Sequence, residues 1–156
     1  MSPTDAYQIP PSAVLEVCVC HMTRRAARAV TRAYDTALAS TGLTSSQFTL
    51  LATIAAKAGT DKAPVTVANL SAALLMDAST LSRNLGALRA KGYVLWREGA
   101  GRRAAHMALS DAGHKALAAA IPAWQEMQRQ LTQRLGNGRA SVLLETLEAA
   151  TNAIAM

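Results

Sequence analysis

The chain has 156 residues, 51% of them hydrophobic and 17% charged, and carries a net charge of +6. That length and apolar content suit one domain with a real core and helical extensions, and exclude a disordered chain. Nearly apolar runs reach only about nine residues against the ~20 needed to cross a bilayer, and MSPTDAYQIPPS lacks a basic start followed by an apolar stretch. No membrane span or secretory signal is expected, and the default location is the cytoplasm. Aromatic residues make up only 4%, and the abundance of alanine favours helices packed through small side chains.

In chain order, residues 1–12 are Pro-rich and read as a loose start. Val14, Cys18, Met22, Ala26, Val30, Ala33 and Ala37 recur at three- and four-residue spacing, which predicts one long helix over 13–41, closed by Gly42. Arg24, Arg25, Arg28 and Arg32 decorate it, and can face DNA phosphate, solvent or a dimer partner. Thr44 and Gln47 form a capping box for a second helix, whose inner face holds Phe48, Leu51 and Ile54. Ser45 and Ser46 at its N-terminus are candidates for phosphate contact. A loop follows over 59–64, and Val65 can add a brief strand to a later hairpin. Thr66 then caps a short helix through Ala68, Leu70 and Leu74, and 75–77 form a turn.

The next segment carries the functional signal. Leu81, Leu85 and Leu88 share one face of a helix over 77–91, with Asp77 as its cap and Gly92 as its stop. At about 100° per residue, Ser79 and Arg83 fall opposite the leucines, with Thr80 and Asn84 on one flank. Tyr93, Val94, Leu95 and Trp96 then enter a hairpin, 97–103 form a tip containing arginines and two glycines, and 104–109 return. Ser110 caps a further helix with Leu117, Ile121, Trp124, Leu131 and Leu135 on one seam, in which Pro122 should produce a bend rather than an end. After the break at 136–138, Leu143, Leu147, Ala150 and Ile154 mark a last apolar stripe.

Helix, turn, helix and two-stranded wing define the expected fold: mainly α, a winged helix-turn-helix DNA-binding lobe over 44–109. The flanking helices, over 13–41 and 110–155, form a dimerisation lobe. The charge is placed accordingly, since 77–115 hold seven Lys or Arg against three acids. A cationic patch centred on a recognition helix and a wing is the footprint of phosphate contact. Arg83 can donate to a guanine edge, Ser79, Thr80 and Asn84 can bond bases or phosphate, and Arg102 and Arg103 can enter the minor groove. The terminal stripes hold more apolar surface than the winged lobe covers, so a twofold dimer on a pseudo-palindromic site of double-stranded DNA is expected.

The run DASTLSRNLGALRAKGYV, the wing arginines Arg97, Arg102 and Arg103, and LSDAG at 109–113 resemble the MarR family of bacterial transcription regulators. The resemblance implies a homodimer interleaved through its terminal helices, and control by a small aromatic or amphipathic effector bound between the two lobes. Arg25, Trp96, His106 and Trp124 are conceivable lining residues, although packing is the simpler account of both tryptophans. The chain departs from the family at Gly101, where the family's wing carries an Asp that orients its arginine.

Cys18 and Cys20 stand two apart. Within one helix they would point about 200° from each other, so a disulfide between them is geometrically poor and one should be buried, the other exposed. Cys20 sits roughly where the hydroperoxide-sensing branch of the family carries its reactive thiol, with His21, Arg24 and Arg25 near enough to activate it, while an ordinary buried role is the commoner one. Cys18, Cys20, His21 and Met22 are soft ligands, but no second cluster completes a metal site. His114 reads as a surface residue. No C-x-x-C pair, phosphate loop or Ser/His/Asp constellation supports an enzyme or a cofactor. A winged-helix protein-interaction module is the remaining alternative.

Overall fold

The computed structural model describes residues 9–60, 64–97, 106–136 and 138–154. Its elements are α1 (Pro11–Val17), α2 (Val19–Leu38), α3 (Ser45–Thr60), α4 (Val67–Leu74), α5 (Ala78–Ala90), β1 (Val94–Arg97), β2 (His106–Leu109), α6 (Asp111–Leu135) and α7 (Arg139–Ile154).

The single helix expected over 13–41 is two. Cys18 adopts φ −73° and ψ 108°, ends α1 with its N–H on the Val14 carbonyl, and caps α2 by accepting the His21 N–H on Sγ at 3.4 Å. A single non-helical residue leaves the three- and four-residue spacing of Val14, Cys18 and Met22 intact, so periodicity runs through the break. The helical start also comes earlier than expected. Pro11 occupies the first helical position, where its missing N–H has no bond to lose. At the other end of α2, a 3-10 turn over Ala39–Thr41 leads to Gly42, and α3 runs on to Thr60 through Gly59, where a loop was expected.

Each helix of the winged lobe starts on a side-chain cap. Thr44 and Gln47 satisfy each other's backbone N–H groups, both at 3.3 Å. Thr66 Oγ1 accepts the Asn69 N–H at 3.2 Å, and Asp77 opens α5. Between α4 and α5, Leu75 takes the left-handed conformation at φ 46°, uncommon for a residue with a side chain. Ser71 holds that turn, its hydroxyl donating to the Met76 carbonyl at 2.8 Å while its own carbonyl accepts the Met76 N–H at 3.2 Å.

One core runs beneath these elements. Leu50, Leu51 and Ile54 of α3 meet Leu70 of α4, Leu81 and Leu88 of α5, and Met107 of β2. β1 and β2 pair antiparallel, Val94 opposite Leu109 and Trp96 opposite Met107. Val65 bridges Met107, whose N–H donates to its carbonyl at 2.8 Å, as the sequence suggested. α6 continues through Pro122 for 25 residues, about 37 Å. α7 and α1 bury no residue.

The start of α6 presses on the end of the wing. Ser110 accepts the Gly113 N–H at 3.0 Å and donates to the Gly92 carbonyl at 2.6 Å. A Cβ built on Gly113 would lie 2.1 Å from the Tyr93 carbonyl oxygen. Backbone cannot yield there without shifting a whole element, so Gly113→Ala should destabilise the fold by about 1–3 kcal/mol, read as a lower urea midpoint with an unchanged slope.

Candidate nucleic-acid interface

α5 is oriented by its two faces. Leu81, Leu85 and Leu88 are buried, while Ser79 and Arg83 on the opposite side are exposed. Thr80 and Asn84 are half-buried on the flank, and the Asn84 Nδ2 donates to the Thr80 carbonyl at 2.9 Å. That bond uses one of the two donors of the Asn84 amide. Arg83 has no ion-pair partner among the described residues.

Asp77 anchors the N-terminus of this helix. Its Oδ1 accepts the Ser79 hydroxyl at 2.6 Å and the Thr80 N–H at 2.8 Å. These bonds, the Ser79 hydroxyl first, hold the carboxyl well below the usual carboxylate range. Ser79 is thereby committed as a donor to Asp77, and what it offers a ligand is its acceptor lone pairs.

β1 and β2 carry the wing outward from the core, and its tip, with Gly101, Arg102 and Arg103, lies outside the described residues. Sequence reasoning missed the cleft where the wing meets the recognition helix. Val67, Ser82, Leu85, Gly86, Arg89 and Trp96 line about 220 Å³ there. The signal was available: 82, 86 and 89 share a flank of α5 adjoining the Arg83 face at about 100° per residue.

Ser45 and Ser46 prove less open to phosphate than expected. The Asp35 carboxylate already takes the Ser45 N–H at 2.6 Å, so an anion occupies the positive end of α3 and would repel a second. Arg24, Arg25, Arg28 and Arg32 are all exposed and fall within about 100° of one another on α2. None has an ion-pair partner among the described residues.

The four residues grouped as effector-lining do not share a cavity among those described. Arg25 projects from α2 into solvent, Trp96 lines the cleft by the wing, and His106 pairs with Arg97 across the wing. Only Trp124 enters an inter-lobe cavity, of about 360 Å³, lined also by residues of α2, α3 and the turn before α5. Its ring stacks on Phe48, centroids 6.0 Å apart and planes 23° apart. Tyr34 and Met76 complete that cavity, and neither stood out in the sequence, because each reads as ordinary helix-face packing.

Cys18 is half-buried and Cys20 exposed. Both thiols are free, as expected of this pair, although Cys18 sits at the junction that caps α2 and not within one helix with Cys20. His114 is exposed. No group of three His, Cys, Asp or Glu side chains able to hold a metal ion occurs among the described residues, and no described helix is long and apolar enough to cross a membrane.

Two short helices joined by a tight turn, the second projecting a polar and cationic face beside a β-wing, define a winged helix-turn-helix protein. The family model described as "MarR family" matches residues 41–104. The chain is 33% identical to the transcriptional regulator MosR of M. tuberculosis, the match covering 89% of this chain and 98% of that one with a TM-score of 0.73. MosR solved in complex with DNA is 34% identical over 87% of this chain and 98% of its own, TM-score 0.70. The MepR–DNA complex of S. aureus, 19% identical with 89% and 98% covered and a TM-score of 0.72, shares the fold. No curated protein matches significantly. The chain belongs to the MarR family.

The depressed Asp77 carboxyl has a consequence for stability with a definite sign. A folded-state pKa below the unfolded value of about 3.9 contributes stability that is present above about pH 4 and lost as pH falls below it. Asp77→Asn should therefore lower the thermal midpoint at pH 7, with the gap to wild type closing in acid. Scanning calorimetry across pH 2–7 checks this, and an equal gap at every pH would contradict the assignment.

Proposed function

We propose that this chain is a homodimeric, sequence-specific DNA-binding transcription regulator, a repressor released by a small aromatic or amphipathic effector. The observation that carries the reading is the exposed polar face of α5, Ser79 and Arg83, set opposite three buried leucines. A helix so anchored offers an uncommitted guanidinium to a major groove, where Arg reads the O6 and N7 of guanine. Thr80 and Asn84 flank it for base or phosphate contact, and Arg102 and Arg103 extend the contact to the minor groove from the wing tip. Ser45 and Ser46 are left out of the contact set, because Asp35 stands at their helix terminus.

Dimerisation is supported by the apolar surface that the chain leaves uncovered. Val14, Leu15 and Val17 of α1, and Val142, Leu144 and Ile154 of α7, are exposed. Such a surface on terminal helices favours a self-complementary twofold contact. Two copies would present paired recognition helices to half-sites about 10 bp apart.

The test is anisotropy titration of the full chain against the DNA upstream of its own coding region. Specific binding should fall steeply between low and moderate salt. Arg83→Ala should weaken it by roughly 1–3 kcal/mol and relax preference at one base pair. Unchanged affinity in that variant would overturn the docking of α5. Sedimentation velocity should give a dimer, and Leu147→Glu, on the outer face of α7, should shift it towards monomer with a parallel loss of operator affinity. A wild-type monomer at micromolar concentration would remove the twofold reading.

A further inference from the structure

We propose that the cleft between α5 and β1 seats one backbone phosphate of bound DNA, with Arg89 supplying the charge, Ser82 and Trp96 the neutral donors, and Gly86 the room. The inference rests on the docking of α5 described above and adds to it residues that read no base.

The shape of B-DNA decides what must pass there. A major groove and the minor groove beside it are separated by a single sugar-phosphate strand. With α5 in the first groove and the wing reaching the second, that strand runs between the two elements. The cleft is the gap between them: Ser82, Leu85, Gly86 and Arg89 come from α5, Trp96 from β1, and Val67 from the start of α4. Its volume is about 220 Å³, below the roughly 300 Å³ at which sites for small organic ligands begin. It is also continuous with the recognition face, since Ser82, Gly86 and Arg89 fall within about 60° of one another on α5 and adjoin Arg83.

The lining has the chemistry of an anion seat. Arg89 is exposed and has no ion-pair partner among the described residues. No carboxylate lines the cleft among the described residues. The Ser82 hydroxyl and the Trp96 indole N–H make no hydrogen bond among the described residues, so guanidinium, hydroxyl and indole are all open to phosphate oxygens. Trp96 shares its strand face with the buried Val94, which turns the ring towards α5 and leaves its apolar surface for a deoxyribose. An arginine in the last turn of a helix also complements the helix dipole. That role needs neither a cleft nor an indole and a glycine beside it.

Gly86 carries the argument further. It lies in the interior of α5 and is exposed, and a Cβ built on it meets nothing within 4 Å. Its φ is not positive, so nothing in the fold itself asks for glycine. Glycine is the poorest helix former after proline. Helix stability is thus given up at a position that faces both the recognition side and the cleft, and what the missing side chain leaves is a close approach for another backbone.

The test is anisotropy titration of the full chain against the upstream duplex and a scrambled duplex of equal length, from low to moderate salt. Arg89→Ala should weaken both duplexes by the same factor, about threefold or more, and make the slope of log K against log salt shallower by about 1, the signature of one lost phosphate contact. Gly86→Leu should weaken both at least about tenfold while raising the thermal midpoint, because leucine is the better helix former. A merely structural role would lower stability and binding together. Trp96→Phe should remove most of the change in tryptophan emission that DNA produces in the wild type. An unchanged salt slope in Arg89→Ala, unchanged affinity in Gly86→Leu, or a full emission change in Trp96→Phe each overturns the proposal. Wild type that binds neither duplex overturns it together with the DNA-binding reading. If all three variants behave as stated while Arg83→Ala keeps full operator affinity, the phosphate seat stands and the base-reading role of Arg83 fails.

Discussion

Burial of Leu81, Leu85 and Leu88 against α3 sets the rotational phase of α5, and nearly everything functional in the molecule depends on that phase. Full burial of a leucine stabilises by about 1.5–3 kcal/mol relative to exposure. Turning the helix by one residue, about 100°, would expose these side chains and drive a guanidinium towards an apolar core. The recognition face is thus determined from behind. Arg83 faces outward because three leucines cannot, and the Asp77 cap then fixes where along its axis the helix begins.

The second constraint is the tight joint between wing and α6. With the Tyr93 carbonyl against Gly113, and Ser110 bonded to both Gly92 and Gly113, the base of the wing and the start of the longest helix form one rigid corner. α6 then passes back along α2 and α3, where Trp124 stacks on Phe48. The winged lobe and the terminal helices therefore share side chains rather than a flexible linker. A change in the cavity between them has a short path to the turn before α5, through Leu74 and Met76.

Charge and apolar surface are segregated on the outside. The α2 arginines fall on one arc, while Met22 and Val30 of the same helix lie elsewhere and remain exposed. α7 contributes Leu143 and Leu147 to the uncovered apolar surface. Such a surface is what a second copy would cover, and the cationic arc and the α5 face then remain for solvent and ligand.

Local signals were legible from residues alone. The caps at Thr44, Thr66, Asp77 and Ser110 depend on residues three apart, the glycine stop at 92 on a single residue, and the leucine phase of α5 on a 3.6-residue period. The motif LSDAG was likewise visible, though not the reason for its glycine, which lies in the close approach of Tyr93. What tertiary structure alone decided concerns residues distant in sequence or invisible to periodicity. The break at Cys18 hides inside an unbroken apolar spacing, because one non-helical residue does not disturb the pattern. Asp35 reaches the α3 terminus across ten residues and takes the Ser45 N–H, a contact that no local pattern records. Trp96, His106 and Trp124 looked like one aromatic and imidazole set, yet the wing and α6 carry them apart. The cavity drew instead on Tyr34, Phe48 and Met76, because a cavity wall is made where elements meet, and no single element's pattern records its neighbours.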